Sequence, residues 1–220
     1  MSGFKWMLVF IILGSIQGVN AQSEKFSLSI GGQFSKNTNV YDELLPQSNR
    51  RIVLIPRLTY RLDRHWAVGV LYNHNTYTQD LWVAQLSNPY VIPSPLNFQV
   101  KTSQQMYGLL VQHYLVDQGR FCIFLEWDGQ IGNSEMKIDF PEDMVVNQSD
   151  SPSGIKHYSS GIHLGTRYNF YKGLGIELRC NNLVMYHKTD DKGLLKTKKS
   201  TFNLFDDLLG NTGLGLAFSF

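Results

Sequence analysis

Seven charged side chains occur at alternate positions within otherwise apolar stretches of the sequence. They are Arg57, Arg61, Glu126, Asp128, Arg167, Glu177 and Arg179. Because alternate residues of a β-strand point to the same face, we expect these charges to share one inward face. Buried charges must be paired, since an isolated one costs many kcal/mol. Four arginines facing three carboxylates predict a ladder of ion pairs, either filling the interior or acting as a charge filter in a narrow passage.

His157 and Ser159 have the types and spacing that nucleophilic catalysis could use. They lie two residues apart in the segment GIKHYSSGIH, and so share one face of a strand. A serine nucleophile needs an adjacent histidine base, which in turn needs an orienting carboxylate. Glu177 is a poor candidate for that carboxylate, because we expect it at a different level on the neighbouring strand. Since two polar residues on a polar strand face are ordinary, we predict no catalytic residues.

The sequence contains no pattern that points to a metal or a cofactor. A glycine-rich phosphate loop and a dinucleotide fingerprint are both missing from it. The histidines are scattered rather than grouped at ligand spacing: His65, His74, His113, His157, His163 and His187. We therefore predict no bound metal and no cofactor.

The first residues have the three parts of a cleavable secretory signal. Lys5 gives a positive start, residues 6–13 give an apolar run, and residues 19–21 (Val-Asn-Ala) give a cleavage site. The apolar run is too short for a membrane-spanning helix, which needs about 20 residues. We therefore predict a signal peptide at residues 1–21 and one domain at residues 22–220. Without Lys5 the mature chain is nearly neutral, which argues against a nucleic-acid partner.

The mature chain alternates between stretches with period-2 patterning and polar connections. The connections are alternately long and short: 35–50, 78–101, 133–154 and 187–210 are long, whereas Asp63-Arg64, Asp117-Gln118-Gly119 and Tyr171-Lys172-Gly173 are tight turns. Short turns on one side and long loops on the other are typical of transmembrane barrels. The pattern predicts eight strands, at about 26–34, 51–62, 65–77, 102–116, 120–132, 155–170, 173–186 and 211–220.

Each predicted strand has one bulky apolar face and one face of small and charged residues. In strand 2, for example, Ile52, Leu54 and Leu58 alternate with Val53 and Arg57. An eight-stranded barrel has an interior only wide enough to be filled by side chains. The bulky faces would overfill it, so we expect them to point outward to lipid, unlike those of a soluble lipocalin-like barrel. The sequence thus predicts an all-β, antiparallel, up-and-down transmembrane β-barrel of eight strands.

The positions of the outward aromatic residues support this orientation. One group falls beside the short turns and a second group towards the long loops, as expected for two membrane interfaces. The first group is Trp66, Phe121, Tyr168, Phe170, Phe218 and Phe220, and the second is Tyr72, Tyr107, Trp127 and Tyr158.

Cys122 and Cys180 are not expected to form a disulfide. They belong to opposite faces and to predicted strands 5 and 7, which strand 6 separates. A disulfide needs Cα atoms within about 7 Å and converging side chains, so both geometric conditions fail.

The ending NTGLGLAFSF resembles the C-terminal signature of outer-membrane barrels, with a terminal Phe220. The segment YGLLVQHYLVDQGRFCIFLEWDGQIG, two strands about a short turn, is similar to the small barrels of the OmpA/OmpX/PorT-like outer-membrane β-barrel superfamily. The resemblance implies an outer-membrane location with both termini in the periplasm. It also implies that Phe218 and Phe220 form the assembly signal that the barrel-assembly machinery reads.

The long connections suggest partners outside the barrel. The segment 133–154 is acidic (Glu135, Asp139, Glu142, Asp143, Asp150), and 187–210 carries Lys188, Lys192, Lys196, Lys198 and Lys199. Solvated charges explain both, and attraction of the lysines to anionic lipopolysaccharide headgroups is the functional alternative. Segment 78–101 is apolar and would either fold over the barrel mouth or meet an envelope protein partner, and segment 187–210 is the alternative contact for such a partner.

Four functions remain open from the sequence. The first is a structural or interaction barrel whose extracellular loops are its working surface and whose lumen is plugged by the charged network. The second, which a PorT-like resemblance would imply, is an accessory role in protein secretion. The third is a narrow pore. The fourth is a lipid A deacylase-type enzyme, because the His157-x-Ser159 spacing is similar to one found in those barrels.

Overall fold

The computed structural model describes residues 25–40, 46–83, 96–139, 155–191, 198–205 and 211–220. The proposed signal segment, residues 1–21, lies outside these ranges and stays a prediction. The described part of the chain contains no helix with the length and apolarity needed to cross a membrane.

The described residues form an all-β structure. Its strands, in chain order, are β1 Phe26–Val40, β2 Pro46–Arg61, β3 Trp66–Val83, β4 Leu96–Gln118, β5 Phe121–Asp139, β6 Ile155–Tyr171, β7 Leu174–Asp190, β8 Lys198–Leu204 and β9 Thr212–Ser219. The tight turns after β4 and β6 use residues with positive φ, Gly119 at 60° and Gly173 at 80°. Such a backbone favours glycine because it has no Cβ.

Eight of the strands close into a barrel. From β1 to β7, each strand pairs antiparallel with the next, and β9 then pairs with both β7 and β1. The closing register joins Ser27 to Ser219 and Gly32 to Leu214. The predicted eight-stranded antiparallel barrel is therefore confirmed. Closure also leaves no open edge around these eight strands where they pair, as lipid requires.

The strands are longer than the sequence predicted. Parts of the expected long loops 35–50, 78–101 and 133–154 are strand, since β3 extends to Val83, β4 begins at Leu96 and β5 extends to Asp139. The expected loop 187–210 is partly wrong too, because it contains the end of β7 and all of β8. The extended ends of β3, β4 and β5 carry polar residues on their outward face, so the apolar alternation that predicts strands fades there although the backbone pairing continues.

The two faces of the barrel differ as the sequence predicted. Outward apolar side chains are exposed, for example Leu109 at 71% and Leu214 at 64%. Inward positions hold small or buried residues such as Ala67, Ser29 and Leu110. At one close approach the small residue is required: a Cβ on Gly165 would lie 2.2 Å from Cζ of the buried Phe124. The bulky face therefore points out, which suits a hydrocarbon environment.

Outward aromatic side chains gather near both ends of the barrel. At the short-turn end, the ring centroid of Phe26 lies 5.0 Å from that of Tyr60 and 5.9 Å from that of Phe220. At the other end, the rings of Tyr72 and Tyr107 lie 5.0 Å apart. We call the outward aromatics at this second end the upper aromatic row: Tyr72, Tyr107, Tyr158, Tyr186 and Phe202.

The two cysteines are free, as predicted. Cys122 is buried inside the barrel on β5, whereas Cys180 on β7 is partly exposed. The intervening β6 pairs with both strands, at Arg167 for Cys122 and at Leu164 for Cys180.

Candidate functional site

The lumen contains a cluster of buried charges contributed by four strands. β2 supplies Arg57, β5 supplies Glu126, β6 supplies Arg167, and β7 supplies Glu177 and Arg179. All five point inward because they occupy alternate positions whose intervening neighbours face out. None of the five is more than 4% exposed. We call these five residues the lumen network.

Arg179 holds the centre of the lumen network. Its Nη1 lies 2.5 Å from Oε2 of Glu126, and its Nε donates to Oε1 of Glu177. The other two arginines flank these carboxylates. Nε of Arg57 lies 3.3 Å from Oε1 of Glu126, and Arg167 donates from Nε (3.0 Å) and Nη2 (2.8 Å) to Oε2 of Glu177. Each carboxylate is thus shared between two guanidinium groups.

Neighbouring polar and aromatic groups support the lumen network. Nε2 of Gln112 donates to Oε2 of Glu126 at 2.7 Å, and the hydroxyl of Tyr114 donates to Oε1 of Gln112 at 3.2 Å. The ring of Phe124 lies 4.9 Å from the guanidinium carbon of Arg179, a cation–π distance. The fully buried Phe124 fits because Gly165 faces it from β6.

Asp128 pairs with a histidine rather than with an arginine. The backbone N–H of Asn182 donates to Nδ1 of His163 at 2.9 Å. An accepting Nδ1 carries no proton, so the ring proton is on Nε2, which lies 3.1 Å from Oδ2 of Asp128. Asn182 has a φ of 62°, and the β6–β7 register shifts between Ile162 and Leu164. This bulge presents the backbone N–H of Asn182 to the ring of His163.

The arginines and carboxylates buried in the lumen are equal in number. The lumen network has three arginines and two glutamates, and Asp128 adds the third carboxylate. Buried charges are tolerated when they are paired and neutral as a group. The pairing of His163 with Asp128 was not predicted, although His163 occupies an inward position of β6 directly opposite Glu126. Its tautomer depends on the bulge at Asn182, which no sequence pattern indicates.

Arg61 lies apart from the lumen network, at the short-turn end. Its Nη2 is 2.5 Å from Oδ2 of Asp117, and its guanidinium carbon is 4.5 Å from the ring centroid of Tyr114. Both charged side chains of this pair are more than a quarter exposed, at 29% and 27%. Of the seven predicted charges, the structure therefore joins five in the lumen network, pairs Asp128 with His163 and separates Arg61.

Two cavities border the lumen network from opposite sides. A cavity of about 20 Å³ is lined by Arg57, Glu177 and Arg179 together with Gly31 and Gly213. A second, of about 90 Å³, lies at the short-turn end and is lined by Arg167 together with Arg61 and Cys122. The lumen network occupies the space between them.

His157 contacts Ser134 and His187 rather than Ser159. Its Nε2 lies 2.7 Å from the hydroxyl of Ser134, and its Nδ1 lies 3.3 Å from Nε2 of His187. Glu177, the possible orienting carboxylate, is instead engaged by Arg167 and Arg179. In the described ranges, no group of three or more His, Cys, Asp or Glu residues could hold a metal ion.

Phe218 and Phe220, the predicted assembly signal, lie where the barrel closes. The backbone of Phe220 exchanges two hydrogen bonds with Phe26, of 2.9 and 2.8 Å, and its ring is 5.7 Å from that of Phe218. Both chain ends of the barrel therefore meet at the short-turn end.

No protein-family model matches the sequence, and no curated protein matches it. Three solved structures to which the chain is similar are outer-membrane proteins. They are Neisserial surface protein A (10% identity, 90% of this chain, 98% of that chain, TM-score 0.37), OprG from Pseudomonas aeruginosa (13%, 91%, 99%, 0.41) and Ail from Yersinia pestis (17%, 90%, 100%, 0.27). At these identities and scores, the fold rests on the strand pairing of this chain itself.

Proposed function

We propose that this barrel is an integral outer-membrane protein with a structural or interaction role, that its lumen network closes the passage, and that it is not an enzyme. Both termini would face the periplasm, and the long strand ends at the other side would be its working surface. The observation that carries the proposal is the buried lumen network, in which each glutamate is shared between two arginines.

The packing around the lumen network supports a closed lumen. Phe124 and Glu126 are fully buried, and Leu110 is 2% exposed at a neighbouring inward position. An ion crossing at this level would have to displace paired charges, and breaking a buried pair costs about 3–5 kcal/mol. A rigid network of this kind suits a plug better than a filter, which must bind ions weakly enough to release them.

The outer surface supports membrane insertion and a working surface above it. β3, β4 and β5 continue past Tyr72, Tyr107 and Ile131 with outward polar residues such as Gln105 and Asn133. A paired sheet that leaves the lipid in this way offers ordered side chains to molecules outside the cell.

Conductance in planar bilayers tests the closed lumen. We expect the refolded mature chain to insert without discrete current steps. The double variant Arg57→Ser/Glu126→Ser removes one cation and one anion, leaves the net charge of the lumen unchanged and opens space, so it should give transient steps. Steady steps from the wild-type protein would contradict the proposal and favour the narrow pore.

A further inference from the structure

β8 extends the lipid-facing wall of the barrel beyond the eight closing strands. It pairs with the upper half of β7, as β9 pairs with the lower half. Its outward residues Phe202 and Leu204 are 66% and 57% exposed. They stand opposite Tyr186 and Val184 of β7, and so continue the apolar surface of that strand.

The outward side chains of β6, β7 and β8 change character in a fixed order along this wall. The registers align an aliphatic level at Ile162–Val184–Leu204, then Ser160–Tyr186–Phe202, then Tyr158–Lys188–Ser200, then Lys156–Asp190–Lys198. Aliphatic residues suit acyl chains, and aromatic residues suit the membrane interface. The lysines therefore stand at the level of the lipid headgroups.

The headgroup level of this wall is basic and exposed. Lys156, Lys188 and Lys198 are exposed, and Asp190 is the carboxylate opposite both Lys156 and Lys198. Glu135 on β5 borders the same surface pocket as Lys156, so the three lysines meet two carboxylates and leave a net positive charge of one. Within the described residues, no salt bridge of 4 Å or less uses these lysines. We call Lys156, Lys188 and Lys198, with Tyr158, Tyr186 and Phe202 beside them, the lysine face.

We propose that the lysine face binds a phosphate-bearing lipid of the outer leaflet, of the lipid A type, with its phosphates on the lysines and its acyl chains against the aliphatic level. Lysine is a point-charge ligand for phosphate, and clustered cations beside an apolar surface favour anionic lipid headgroups. The proposal rests on the membrane insertion proposed above, and commits to a lipid because the lysine face is continuous with the lipid-facing wall.

The neighbouring strands β4 and β5 provide a matched control. Lys101 and Lys137 are also outward, exposed and directly opposite each other, on β4 and β5. Two further pairs, Gln105 with Asn133 and Ser103 with Glu135, separate them from Tyr107 and Ile131. They carry the same charge but stand well above the upper aromatic row.

The experiment uses the full mature chain in neutral-lipid nanodiscs containing either bisphosphorylated or phosphate-free lipid A. Bound lipid A is counted by native mass spectrometry, and its affinity is titrated. We expect the wild-type protein to prefer the bisphosphorylated form. Lys156→Gln/Lys188→Gln should weaken that binding by about tenfold or more, whereas Lys101→Gln/Lys137→Gln should change it little.

Two results would overturn the lysine-face proposal: equal binding of the two lipid A forms, or an equal loss in both variants. Failure of the wild-type chain to insert, seen as a missing heat-modifiable gel band, would instead contradict the proposed membrane role. The two failures are therefore distinguishable.

Discussion

Arg179 is the arginine that joins the two buried glutamates of the lumen network. It contacts Glu126 and Glu177 and lies over Phe124, and its side chain is 3% exposed. Its removal would leave two buried carboxylates each with a single guanidinium partner. The cost of breaking a buried pair is much greater than that of an exposed one, because the remaining charge has no water to solvate it.

We therefore expect Arg179→Gln to destabilise the barrel by about 3–5 kcal/mol. The matched control is Arg61→Gln, whose partner Asp117 is partly exposed; an exposed pair contributes only about 0–1 kcal/mol. Urea-induced unfolding in lipid vesicles measures both. Similar losses in the two variants would show that burial of the lumen network does not determine its stability.

A single residue, Asp63 in the turn between β2 and β3, should make the stability of the barrel depend on pH. Its carboxylate accepts hydrogen bonds from the backbone N–H groups of His65 (2.6 Å) and Trp66 (2.9 Å), which lower its pKa. A lowered pKa in the folded state stabilises the turn above the ordinary aspartate pKa, and this contribution disappears as the pH falls through the folded-state pKa. It should therefore be present at neutral pH and lost in strong acid.

The comparison is wild type against Asp63→Ala, with unfolding followed at neutral pH and well below the ordinary aspartate pKa of 3.8. We expect wild type to be the more stable protein at neutral pH, and the difference to shrink in acid. A difference that is constant with pH would assign the contribution of Asp63 to backbone conformation rather than to its charge.

At the scale of the strand, pairs of facing residues decide which substitutions the barrel accepts. Gly165 on β6 and Phe124 on β5 face each other in the lumen, and a Cβ on Gly165 would lie 2.2 Å from the ring. Gly129 on β5 has nothing within 4 Å of the position its Cβ would take. Both are strand glycines, but only the first is required by its neighbour.

Gly165→Ala should destabilise the barrel by about 1–3 kcal/mol through overpacking. Gly129→Ala should be neutral or slightly stabilising, because alanine loses less conformational freedom on folding. The midpoint of the heat-modifiable gel shift compares them. Adding Phe124→Leu to Gly165→Ala should recover part of the loss, and no recovery would refute steric conflict as the cause.

The individual strands also show which parts of the fold and of the lumen could be predicted from the sequence. Strands within the lipid were predicted because one face must be apolar and the other small or charged, as in Leu54, Leu58 and Arg57. β8 was missed because its segment is rich in lysine and its only strand partner among the described residues is β7. The inward charges were predicted from their residue types and their alternate positions along the strands. The contact between His163 and Asn182 depends on a bulge in β7, and the separation of Arg61 depends on its pairing with Asp117 at the short-turn end, neither of which a sequence pattern indicates.

For the whole molecule, closure is the step that makes the barrel compatible with lipid. β9 pairs with β1 and β7 at once, and its glycines let the strands approach closely: a Cβ on Gly215 would lie 2.8 Å from the carbonyl oxygen of Ile30. Phe220 secures this seam through two backbone hydrogen bonds to Phe26 and a ring contact with it. The backbone bonds need no particular side chain, so the ring is the part of Phe220 that a substitution can test.

Phe220→Ala should therefore reduce the outer-membrane yield in cells more than it reduces refolding in detergent. The substitution keeps both backbone hydrogen bonds and removes the terminal ring, which the resemblance identifies as part of the assembly signal. Phe26→Ala is the matched control, because it removes the other ring of the same contact but leaves the C-terminus intact. Immunoblots of membrane fractions measure the yield, and gel mobility measures refolding. Equal losses from the two variants in cells would show that Phe220 acts only by packing at the seam.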